Sequence, residues 1–158
     1  REVGPRDAVL VIGNSLPNAG TAERTRAAVE GLGRAVRPGG VLVLHMLNFS
    51  KLVREGGGLK PLRRVVKEGR EYLFLKLFEV HEDRVVLDVV ALAGEDGHYE
   101  QDLTRSSLYP VSMDWLTGAL AGAGLEVMEA LGGFDGNPYD ERSSGDLLVV
   151  AHKTGGGR

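Results

Sequence analysis

The sequence predicts an α/β fold, and three observations predict it. Residues 8–12 (AVLVI) and 41–47 (VLVLHML) are continuous apolar runs of strand length, the pattern of parallel strands covered on both faces. Between them Thr25, Val29, Leu32 and Val36 recur at three- and four-residue spacing and form one apolar helical stripe. Strand, helix and strand within residues 8–47 make a βαβ unit, with parallel strands and a right-handed crossover.

Asp7 opens the first strand, expected over Ala8–Ile12 and buried, and Gly13-Asn14-Ser15 close it. Gly, Asn and Ser are ordinary turn residues. They also stand at the carboxyl end of a parallel strand, where open α/β sheets bind ligands. After Pro17–Gly20 a helix starts, with Thr21 as N-cap and Glu23 in the first turn, where the helix dipole favours an acid. It ends by Arg37, because Pro38 disfavours helical geometry before it and Gly39-Gly40 follow. The second strand, Val41–Leu47, ends in a turn at Asn48-Phe49-Ser50, on the same sheet edge as Gly13–Ser15.

Lys51–Arg70 is basic and interrupted by Gly56-Gly57-Gly58, and reads as a mobile loop. From Tyr72 the period changes to two: Tyr72, Phe74, Lys76, Phe78 and Val80 share one face, and Leu73, Leu75, Leu77 and Glu79 the other. Turns at Glu82-Asp83 and Glu95-Asp96-Gly97 divide residues 72–109 into an antiparallel three-stranded meander, either a lid or a structural extension. Ser112 caps a helix bearing Leu116, Leu120 and Ala123 that stops at Gly124. Leu125–Leu131 reads as a strand, Gly132–Pro138 as a long turn, and Leu147–His152, after Asp146, as the last strand before a frayed tail.

The 158 residues, 42% hydrophobic and 26% charged, suit a single soluble domain over residues 1–158. A net charge of −3, and a basic 51–70 stretch without interleaved aromatics, argue against a nucleic-acid partner. No apolar run is long enough to span a membrane and the start lacks a signal peptide's apolar core, so a cytoplasmic location is expected. The absence of cysteine excludes disulfides, thiolate metal sites and cysteine nucleophiles. No His/Asp/Glu spacing suggests a metal. His45 and His81 read as structural or solvent-exposed, and Trp115 and Phe134 as packing residues. Position 1 is Arg rather than Met, as expected of a processed chain or a piece of a longer one.

Taken together, DAVLVIGNSLPNAG (7–20), RAVRPGGVLVLHMLNF (34–49), SSLYPVSMDWLTGALAGAGLEVMEALGGF (106–134) and SGDLLVVAHK (144–153) resemble the C-terminal half of class I S-adenosylmethionine-dependent methyltransferases. The resemblance is strongest to the glycine/sarcosine N-methyltransferase-like group and covers about residues 6–153. It implies a partial Rossmann-like methyltransferase sheet, strands 4-5-7-6, with the antiparallel three-stranded meander as an insertion and the first strand left as an open edge. S-adenosylmethionine is the implied cofactor. Ile12 and Gly13 would approach it through backbone, Ser15 would hydrogen-bond near its methionine end, and Asn18 stands where the family often has His. Asn14 would face both cofactor and acceptor, and Leu47, Asn48 and Tyr109 would complete the substrate site. Leu47 stands where the glycine-specific members carry Arg, which implies an acceptor less anionic or larger than glycine.

The implied reaction is methyl transfer to a small-molecule acceptor such as an amine. It needs alignment and water exclusion rather than a strong catalytic residue. The family's glycine-rich loop and ribose-binding acid do not appear in this sequence, which implies that the chain alone is inactive. The alternative is a non-catalytic fragment or split subunit that associates, with itself or a partner, through the exposed edge of the first strand.

Overall fold

The apolar runs sort into two sheets in the computed structural model, which describes residues 4–95 and 97–155. The elements are β1 (Arg6–Val11), a short 3-10 turn (Pro17–Ala19), α1 (Ala22–Ala35), β2 (Val36–Leu47), α2 (Phe49–Arg54), β3 (Gly57–Leu59), β4 (Arg63–Lys67), β5 (Arg70–Val80), β6 (Val85–Glu95), β7 (His98–Leu108), α3 (Met113–Gly122), β8 (Leu125–Leu131) and β9 (Asp146–Lys153).

The first sheet has the order β1-β2-β9-β8. Only β1 and β2 are parallel; β9 runs antiparallel to both β2 and β8, so the sheet is mixed. Helices α1 and α3 pack on each other. Their buried Val29, Leu116 and Leu120 share one core with Leu42, Leu44, Met46, Val149 and Ala151. Both N-caps form as the sequence predicts: Thr21 Oγ1 accepts from the Arg24 amide at 3.2 Å and Ser112 Oγ from the Trp115 amide at 3.3 Å. A cap of this kind contributes about 1 kcal/mol.

The expected burial of the first strand is corrected. Val9 and Val11, in register with Leu42 and Leu44, pack on the core, but Leu10 is 64% and Ile12 52% exposed. β1 has a single neighbouring strand, and its Leu10 face is open to solvent. The start of the second strand is corrected too. β2 begins at Val36 rather than Val41, because Arg37–Gly40 is absorbed as a bulge: Arg6 pairs with Val36 but Ala8 with Val41. The bulge brings Gly40 so close to β1 that a Cβ there would lie 2.8 Å from the Asp7 carbonyl oxygen. Asp7 accepts from Arg37 Nε at 2.5 Å and holds the bulge from the other side.

Residues 48–70 are also not a turn and loop. Asn48 caps α2, and β3 and β4 both pair with β5. The expected three-stranded meander is therefore a five-stranded sheet, ordered β3-β5-β6-β7 with β4 also on β5. The glycine run serves close packing: a Cβ on Gly57 would sit 2.3 Å from the Phe78 carbonyl oxygen. The Glu95-Asp96-Gly97 turn falls partly outside the described residues, as Asp96 does. Phe78, Val85 and Leu108 of this second sheet join the same core as Leu42, Met46 and Phe49, so one end of it is a fixed wall beside the first sheet.

Candidate functional site

The carboxyl end of β1 turns through two consecutive left-handed residues, Gly13 (φ 72°) and Asn14 (φ 67°). Glycine takes this conformation freely and Asn tolerates it better than most residues. The turn is fastened to β2 from both residues. The Asn14 side-chain Oδ1 accepts from the Leu47 amide at 2.7 Å, and the Gly13 amide donates to His45 Nδ1 at 3.4 Å. Ser15 donates its hydroxyl to the Ile12 carbonyl at 2.7 Å, and the Asn18 amide donates to the Asn14 carbonyl at 3.2 Å. A Cβ on Gly13 would meet nothing within 4 Å, so its backbone is open to a ligand.

Across the end of β2 lies a cavity of about 340 Å³. Asn14, Leu47 and Asn48 line it from the first sheet, Lys51, Leu52 and Glu55 from α2, and Lys60, Lys76, Phe78 and Leu87 from the second. The structure therefore brings Asn14, Leu47 and Asn48 together. Tyr109 is absent from this lining: its ring packs edge-on against Trp115 at 5.1 Å and its amide donates to the Pro17 carbonyl at 2.9 Å. Tyr109, expected from the resemblance at the substrate site, thus stands outside this cavity.

Asn48, which lines the cavity, also grips the loop that follows β8. The residue is 2% exposed and its side chain fully engaged. Nδ2 donates to the Glu141 carbonyl at 2.9 Å and the Ser144 carbonyl at 3.1 Å, and Oδ1 accepts from the Lys51 amide at 3.2 Å and the Tyr139 hydroxyl at 3.0 Å. A primary amide has two donors and two acceptor sites. Asn48 thus forms cavity wall without a free group to offer an acceptor. Burial, with Glu141 nearby, pushes the Tyr139 phenol above its ordinary pKa, which keeps it the protonated donor. Asp140 organises the loop that Asn48 grips: it accepts from the Arg142 and Ser143 amides and the Ser143 hydroxyl, which hold its carboxyl below the usual range.

His45 is half-buried beside the turn, with Nε2 3.5 Å from Asp146 Oδ2 and its ring centroid 4.6 Å from that of Phe134. It braces the Gly13 turn, in keeping with the structural reading. Phe134 does not pack into the core; it remains 72% exposed over His45. Among the described residues no group of His, Asp and Glu could hold a metal, and no helix is long and apolar enough to cross a membrane. Lys60, Lys76 and Phe78 line the cavity and Tyr139 holds Asn48 beside it; sequence reasoning misses all four. The alternation at Tyr72–Val80 places Lys76 beside Phe78 but gives no indication of what faces them.

No family model matches this chain, and no curated protein does. Solved structures do. A S-adenosylmethionine-dependent methyltransferase from Clostridium acetobutylicum superposes with a TM-score of 0.79 at 10% identity, over 98% of this chain and 61% of its own. An amino pentose methyltransferase from Micromonospora echinaspora, solved with S-adenosylmethionine bound, gives 0.73 at 23% identity over 98% and 61%. A sugar N-methyltransferase from Streptoalloteichus gives 0.69 at 22% identity over 96% and 57%. The chain spans about six-tenths of the length of these neighbours. At such identities the likeness is one of architecture, and by its architecture the chain has the α/β fold of S-adenosylmethionine-dependent methyltransferases.

Proposed function

We propose that this chain is the acceptor-side portion, a C-terminal half, of a cytoplasmic S-adenosylmethionine-dependent methyltransferase of small-molecule amines. The observation that carries the reading is the fastened Gly13-Asn14 turn, which ends a parallel strand and borders a 340 Å³ cavity with an apolar floor. The turn fits the cofactor: Gly13 leaves its backbone uncovered, and Ile12, Ser15 and Asn18 are solvent-accessible around it. When bound, the cofactor supplies a methyl group on a positively charged sulfur. The chain's own residues hold the turn rigid, exclude water with Leu47, Leu52, Phe78 and Leu87, and set the acceptor against Asn14. Two structural neighbours are sugar or amino pentose methyltransferases, which supports an amine on a small polar scaffold as the acceptor. In this reading the remaining cofactor contacts come from strands outside this chain that pair along the open edge of β1.

The test is calorimetry of the full-length protein with S-adenosylhomocysteine. Saturable binding is expected, and absence of binding ends the reading. The exposed Leu10 and Ile12 favour one alternative, a non-catalytic subunit that associates with itself or a partner through β1. Light scattering after size-exclusion chromatography separates the two: a monomer that binds S-adenosylhomocysteine excludes the alternative.

A further inference from the structure

The cavity wall carries an arrangement of charge that its own fold does not balance. The Lys60 amide donates to the Lys76 carbonyl at 2.8 Å, one step beyond the Leu59–Leu77 pair that ends the β3–β5 ladder. Lys60 therefore stands opposite Lys76, and residues directly opposite in an antiparallel pair project from the same face, where like charges repel. Both line the cavity. Arg63 pairs with Phe74, two residues along β5 from Lys76 and hence on the same face. Arg63, Phe74 and Lys76 line a second cavity of about 400 Å³, which shares Lys76 with the first.

Three other cations on this sheet are matched by acids, while Lys67 stands exposed at the end of β4. Arg64 pairs with Glu71, Arg70 with Glu100 at 2.9 Å, and Arg105 with Asp88 at 2.7 Å. Among the described residues Lys60, Arg63 and Lys76 have no ion-pair partner, and Glu55 is the single acid on the wall of the first cavity. Lys60 Nζ instead lies 5.8 Å from the Phe78 ring centroid, a cation–π contact that keeps its ammonium group at the cavity. Two cations without acid partners on the first cavity, with Arg63 beside Lys76 on the second, in a protein of net negative charge, favour an oxyanion.

Resting on the methyltransferase reading, we infer that the acceptor carries an oxyanionic tail, phosphate or carboxylate, which docks on Lys60, Lys76 and Arg63 and leaves its nucleophile toward Asn14. The sequence-based expectation drawn from Leu47, an acceptor less anionic or larger than glycine, is compatible with a larger acceptor whose anion is held on the opposite wall.

Titration calorimetry of the full-length protein with inorganic pyrophosphate and with succinate tests the inference without requiring turnover. At least one probe should bind saturably. Its affinity should fall tenfold or more in Lys60→Met/Lys76→Met, fall less in Arg63→Met, and stay within twofold in Lys67→Met, a charge-matched control at an exposed position of β4. Preference for pyrophosphate assigns a phosphoryl tail and preference for succinate a carboxylate. Equal affinity in the double variant and the control, or no saturable binding of either probe, overturns the inference. S-adenosylhomocysteine binding by the same proteins is the independent arm. If it is kept while the anion is not bound, the oxyanion site fails alone; if it is absent from the unsubstituted protein, the methyltransferase reading fails.

Discussion

Replacing Asn48 with Ala is expected to destabilise the protein by several kcal/mol, a magnitude set by its hydrogen bonds. The amide closes four hydrogen bonds of 3.2 Å or less, with a fifth at 3.5 Å to the Asp140 carbonyl, from a residue that is 2% exposed. The bond to the Lys51 amide is an N-cap for α2, worth about 1 kcal/mol. The other three satisfy two carbonyls of the 139–145 loop and the partly buried Tyr139 hydroxyl, and an orphaned buried group costs about 1–3 kcal/mol. Glu141 is exposed and its carbonyl regains water, so the sum is about 2–4 kcal/mol rather than the upper limit. In a domain of this size that corresponds to a drop in Tm of roughly 4–16 °C. Asn48→Ser keeps an oxygen for the cap and should recover about 1 kcal/mol of the loss. Urea unfolding of the three proteins reads both quantities from Cm at unchanged slope. A loss below about 1 kcal/mol in the Ala variant, or no recovery with Ser, refutes the assignment of Asn48 as the clamp between α2 and the loop.

The other expectations concern the turn, the bulge and the second sheet. Asn14→Ala should cost about 1 kcal/mol for the Leu47 hydrogen bond plus about 1–2 kcal/mol for a left-handed Ala, whereas Asn14→Gly should cost only the first; both should weaken S-adenosylhomocysteine binding in calorimetry. Gly40→Ala presses a methyl group against the Asp7 carbonyl and Val36 and should cost about 1–3 kcal/mol, with faster amide exchange in β1 than in β9 as the local signature. Arg105 donates two hydrogen bonds to Asp88 and holds its carboxyl below the ordinary pKa. The folded-state value is depressed, so the stabilisation is complete above about pH 4 and is lost as pH falls through the folded value. The difference in urea midpoint between the unsubstituted protein and Asp88→Asn should therefore shrink on acidification below pH ~4; a constant difference contradicts the pairing.

The parts of this fold legible in the sequence are those that local chemistry determines. Thr21 and Ser112 announce helix starts through their own side chains, and the Thr25–Val29–Leu32 stripe announces the face that α1 buries. What escapes local reading depends on partners distant in the chain. Arg37–Gly40 contains breakers and reads as a turn, but its role is set by the offset between β1 and β2. β4 is exposed along its whole length, so it has no buried face and no apolar alternation to betray it. The burial of β1 is overread because apolar character on both faces says what a strand tolerates, not how many neighbours it has. At the site, the Gly13-Asn14-Ser15 turn is legible from its place after a strand. The pairing of Lys60 with Lys76 is not, because it follows from a register that Gly57 permits by fitting under the Phe78 carbonyl.

The placement of charge in the cavity follows from what each wall can tolerate. Leu47 is half-buried beside Leu52, whose side chain is 5% exposed, and its backbone amide is already committed to Asn14. A guanidinium at that position would lose water, at a cost that grows with burial. Lys76 is exposed and Lys60 half-buried, so their ammonium groups remain hydrated until a ligand arrives, and the unliganded protein carries them cheaply. The floor formed by Leu47, Leu52, Phe78 and Leu87 acts in the opposite sense on the acceptor. An amine desolvated there has its pKa lowered and presents a free lone pair, the form that accepts a methyl group. Under the proposal, cations at one end of the cavity and hydrocarbon at the other would orient one acceptor in one direction, anion toward Lys60 and Lys76 and neutral nitrogen toward Asn14. Because Phe78 belongs to the core shared by both sheets, the separation between mouth and turn is set by packing rather than by a flexible loop. If the proposal holds, the length of the acceptor between its anion and its nitrogen is the property on which this cavity would discriminate.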